Sequence, residues 1–84
     1  MSETVTRWTV EIFLSETDDH THAHALLLSG LQPPLAATGE ATLSEHDDLD
    51  VPEVGFELAA ARALRSLSDK LLDLDIEDVE GLLG

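Results

Sequence analysis

The sequence predicts an α+β domain in which a three-stranded antiparallel sheet is covered on one face by a long C-terminal helix, a β-β-β-α order closed by a short terminal helical turn. Three observations carry this. Apolar residues alternate strictly near the N-terminus, they recur every three or four positions near the C-terminus, and turn-prone clusters separate the segments between. At 84 residues the chain suits one domain, residues 1–84, and buries about 60 to 65% of its unfolded surface, enough for one thin core.

In WTVEIFL, Trp8, Val10, Ile12 and Leu14 share one face while Arg7, Thr9, Glu11 and Phe13 share the other, the pattern of a half-buried strand. The polar stretch SETDD supplies a turn. After it Thr21, Ala23, Ala25 and Leu27 are expected inward, with His20, His22, His24, Leu26 and Leu28 outward, as the second strand of a hairpin. Gly30 to Pro34 is rich in breakers, and Gly39, Ala41 and Leu43 then alternate with Glu40 and Thr42 in a third strand whose small inner residues suit a closely packed helix.

An acidic loop, SEHDDLD, leads to Asp50 and Glu53, which have capping-box spacing around Pro52. The helix carries Val54, Leu58, Ala61, Leu64, Leu67, Leu71 and Leu74 in an apolar arc that also holds Ala60, Ala63 and Leu72. That arc is wider than one small sheet face needs, leaving a spare apolar face as a further contact surface. Asp75 begins a second cap, after which Ile76, Val79, Leu82 and Leu83 are expected to fold a last turn back onto the helix.

Taken together, TRWTVEIFLSE, THAHALL, TGEATL, VPEVGFELAAARALRSLSDKLL and DIE resemble a family of small uncharacterised bacterial proteins, number eighteen seventy-six among the domains of unknown function. The resemblance covers nearly the whole chain and implies a fold like the double-stranded-RNA-binding domain. It implies no activity. The chain departs from the family pattern in its second strand, at His22, His24 and Leu26, and it stops soon after DIE.

Composition excludes several functions. Without cysteine there is no disulfide framework, thiolate metal site or cysteine nucleophile. The N-terminus lacks a signal-like apolar region and no stretch is long enough to span a membrane, so a cytoplasmic location is expected. Eighteen acidic residues against four basic ones give a net charge of −14, which repels nucleic acid and anionic lipid. The carboxylates fall in loops, caps and the wet helix face, Ser15, Ser29, Ser44, Ser66 and Ser68 have no nucleophile-elbow context, and Gly30 and Gly39 make no phosphate loop. No cofactor is expected, and the protein reads as a non-enzyme.

Two features remain. In DDHTHAHALLL, His22 and His24 are two apart on a strand and could share a zinc ion, with His20 as a further candidate and Glu11, Glu40 or Asp18 completing the site. A solvent-facing strand that happens to carry histidine is the favoured reading, because no supporting partners are legible. Phe13, Leu26 and Leu28, outward by alternation, would form an apolar patch that is either covered by Leu31 to Leu35 or buried between copies. The leading function is therefore a non-catalytic interaction module that forms a homo-oligomer or binds another protein, and metal binding or buffering is the alternative.

Overall fold

The computed structural model describes residues 2–30, 33–42 and 52–83, apart from the side chains of 52, 53 and 77–83. Strands β1 (Thr9–Thr17), β2 (His20–Leu28) and β3 (Leu35–Thr42) are followed by helix α1 (Pro52–Leu83). The sheet is antiparallel in the order β1-β2-β3, as the alternation predicted. The acidic loop, Asp50 and Leu43 lie outside the described residues.

The hairpin is tighter than SETDD suggests. Thr17 pairs with His20, leaving Asp18 and Asp19 as the turn, and Asp18 adopts φ 55°, a left-handed conformation that aspartate tolerates better than most residues. The register then aligns Ile12, Ala25 and Ala37 across the sheet, and beside them Leu14, Ala23 and Gly39. These two rows, with Thr21, Leu27 and Ala41, face the helix.

The core beneath the helix comprises Ala23, Ala25, Leu27, Ala37 and Ala41 from the sheet and Ala59, Ala63 and Leu67 from the helix. Most of these side chains end at Cβ, so the helix approaches closely. A Cβ at Gly39 would fall on the Ala59 carbonyl oxygen and the Ala63 nitrogen, and one at Gly55 would come within 2.9 Å of Thr21 Oγ1. Arg62 donates to the Glu40 carbonyl at 2.7 Å and Lys70 Nζ to the Ala36 carbonyl at 2.5 Å, tying the helix to β3. Among the described residues no buried side-chain polar atom lacks a partner.

Three expectations are corrected by this packing. The helix turns its Ala59–Ala63–Leu67 line inward, with Leu58 and Leu71 packed against it, so Ala63, Leu58, Leu67 and Leu71 face the sheet as expected while Ala61, Leu64 and Leu72 are exposed. A leucine ridge through Leu64 would hold the helix off Gly39 and forfeit the backbone contact. Strand β1 is exposed at every residue instead of half-buried, because the helix sits mainly on β3 and β2 and touches β1 only at its margin. Finally, α1 runs without a break through Asp75 to Leu83, so the last residues extend the helix and do not form a separate turn.

Two mutational outcomes follow from the close approach. Gly39→Ala is expected to cost about 1 to 3 kcal/mol by forcing the helix away, lowering the melting temperature by about 4 to 8 °C per kcal/mol. In dilute solution Leu67→Ala is expected to cost about 2 to 5 kcal/mol and Leu64→Ala clearly less. Thermal melts read by circular dichroism decide both, and equal losses at positions 64 and 67 would put the wrong helix face inward.

Candidate functional site

The sheet face turned away from the helix carries the histidines. Pairing sets His20 beside Thr17 and Thr42, His22 between Ser15 and Glu40, and His24 between Phe13 and Thr38. Because side chains two apart on a strand share a face, Glu40 stands next to both His20 and His22. Its Oε1 lies 3.4 Å from His22 Nδ1 and its Oε2 3.7 Å from His20 Nε2, while the two imidazole rings stack with centroids 5.2 Å apart.

Thus the structure draws together His20 and His22, where strand spacing alone favoured His22 and His24. His24 instead neighbours Phe13 along an open depression that also runs past Ser15, His22, Thr38 and Glu40. Glu11, another candidate ligand, pairs with Leu26 away from the cluster. Among the described residues no three histidine or carboxylate groups converge closely enough to hold a metal ion. Both imidazoles and the Glu40 carboxylate are about half exposed to solvent, and ion pairs in such positions contribute about 0 to 1 kcal/mol.

The apolar patch predicted beside the histidines is smaller than alternation implied. Phe13 is 56% exposed, but Leu26 and Leu28 are half-buried. Leu35, one end of the segment considered as a cover, packs against the helix-side core; Leu31 lies outside the described residues. A larger apolar surface lies on the other face of β1, where Trp8, Val10, Ile12 and Leu14 are 51%, 42%, 36% and 44% exposed. Alternation makes these four one face of a half-buried strand, and the structure leaves that face exposed. The readable signal was the contrast between bulky β1 and the alanine and glycine of β2 and β3, which shows where a helix can sit closely.

The family described as Rv2632c-like matches residues 6–84. The chain is 37% identical over 75 residues to the uncharacterized protein Mb1767 of Mycobacterium bovis, covering 89% of this chain and 78% of that one. It is 35% identical over 71 residues to the uncharacterized protein Rv2632c of Mycobacterium tuberculosis, covering 84% and 74%. The crystal structure of Rv2632c superimposes with a TM-score of 0.85 at 31% identity, over 96% of this chain and 94% of that chain.

Two imidazoles and one carboxylate fall short of the four ligands of a closed structural zinc site. Zinc is therefore expected to bind with a dissociation constant above about 1 µM, equivalent to about −8 kcal/mol or weaker, and His22→Ala is expected to weaken it further. Calorimetric titration measures this directly. A tight, stoichiometric site would mean that further ligands complete the His20–His22–Glu40 cluster.

Proposed function

The chain belongs to the Rv2632c-like family, and from its geometry we propose that it works as a small, acidic, non-catalytic interaction module that self-associates through strand β1. The observation that carries this reading is that β1 is exposed along its whole length although it holds Val10, Ile12, Phe13 and Leu14. It is also a sheet edge. A nine-residue edge strand without proline and with apolar side chains on both faces is an association surface unless something covers it.

The absence of catalysis belongs to the same proposal. The groups with the right chemistry, His20, His22 and Glu40, sit on an open sheet face, and catalytic sites are usually concave pockets that enclose substrate and exclude water. No described helix is long and apolar enough to cross a membrane; a cytoplasmic location completes the reading.

Light scattering on the eluting protein tests self-association. The chain is expected to exceed its monomer mass of 9.1 kDa at high micromolar concentration, with or without zinc or a chelator, and Ile12→Asp is expected to reduce that mass. A wild-type protein that stays monomeric overturns the proposal. An assembly that needs zinc would favour the alternative, a metal-binding or metal-buffering protein built on His20, His22 and His24.

Nucleic acid is a disfavoured partner despite the β-β-β-α order. Each phosphate contact needs a cation, yet the chain has four Lys plus Arg against eighteen acids, and its lysine, Lys70, is engaged with the Ala36 carbonyl. No binding to duplex RNA is expected in about 0.15 M salt. Fluorescence anisotropy showing low-micromolar affinity that falls steeply with salt would reverse this.

A further inference from the structure

The helix leaves room beside itself for a second one. Arg62 reaches the main chain of β3, and at 100° per residue Leu64 lies on nearly the opposite flank, toward β1. The helix sits over β3 and β2 and only grazes β1, so a second helix packed at the usual spacing of about 8–10 Å between axes would lie along β1. The helix-side face of β1 exposes Val10, Ile12 and Leu14, with Trp8 just before the strand 51% exposed and Leu64 on the helix 41% exposed. Among the described residues there is one helix, so this chain has no second helix on view to cover that face.

The same chain carries a helical segment that outruns its own sheet. Strands of eight or nine residues span about 30 Å, whereas 32 helical residues span about 48 Å, in keeping with a longest dimension of 53 Å. Lys70 reaches the Ala36 carbonyl and Leu71 packs against the core, and Leu74 is half-buried one turn further on. In this C-terminal part of the helix Leu72 and Ile76 lie one turn apart and are 60% and 55% exposed.

We infer that the C-terminal part of the helix of one copy lies along the exposed β1 face of a second copy, and the reverse, in a two-fold dimer. This rests on the self-association reading and names its contact. Among its described residues each copy exposes one apolar face of β1 and one apolar stretch of helix, the pairing that a two-fold interface satisfies reciprocally. The exposed surface of these side chains is on the order of 600 Å² per protomer, close to the roughly 800 Å² that each partner gives to a standard interface. Two chains of −14 repel each other, so the dimer is expected to tighten as salt screens them.

In light scattering at high micromolar protein and 1 M salt, the wild-type chain is expected at twice 9.1 kDa. Ile76→Glu is expected at the monomer mass with its dilute-solution melting temperature unchanged, while Phe13→Asp, on the other face of β1, stays dimeric. The chain has no cysteine, so mixing Ile12→Cys with either Leu72→Cys or Ile76→Cys under oxidising conditions is expected to give a disulfide-linked heterodimer in far higher yield than any of these variants alone. A dimer that survives Ile76→Glu and gives no such cross-link overturns this inference while leaving self-association standing. A wild-type chain that is monomeric throughout overturns both.

Discussion

The seating of the helix backbone on Gly39 governs the rest of the molecule. Contact at that distance requires a strand residue without a side chain and helix residues that end at Cβ, and Ala59 and Ala63 provide the latter. Once that line is fixed, the rotation of the helix follows, and with it the exposure of Leu64 and the burial of Leu67. The sideways position follows too. Small residues lie on β2 and β3, so the helix settles there and leaves β1 at the margin of its footprint. Arg62 and Lys70 then reach main-chain oxygens of β3, anchoring the helix over that strand.

The element order was legible in the sequence because it depends on local periodicity, which survives whatever the elements pack against. Thr21, Ala23, Ala25 and Leu27 were read as inward by alternation alone and all four are buried. Helix facing was less legible. A wheel counts leucine as more inward than alanine, whereas close packing against Gly39 reverses that order. The exposure of β1 was hidden for the same reason: alternation shows which residues share a face, but not whether anything lies over it.

For the histidine strand the sequence supplied the face and the structure supplied the neighbour. Whether His22 joins His20 or His24 depends on where the cross-strand carboxylate falls, and that is set by the β2–β3 register, which places Glu40 against His22. A hairpin register can be estimated from its turn, but β3 follows a longer connection, so this pairing could not be read in advance. Phe13, Leu26 and Leu28 share a face as expected, and their unequal exposure is a matter of three-dimensional cover.

An interior built mainly from alanine also shapes the thermodynamics of the fold. Heat capacity rises on unfolding in proportion to the apolar surface newly exposed to water, and here the large side chains of β1 are already in water in the folded monomer. Such a monomer has a small heat-capacity increment, and its stability varies with temperature along a flatter curve than that of a domain with a leucine-filled core. It resists cold denaturation well, and its enthalpy of unfolding changes little across the physiological range. Covering β1 with a partner restores the missing curvature, so that calorimetry on dilute and concentrated protein would differ in heat capacity as well as in midpoint.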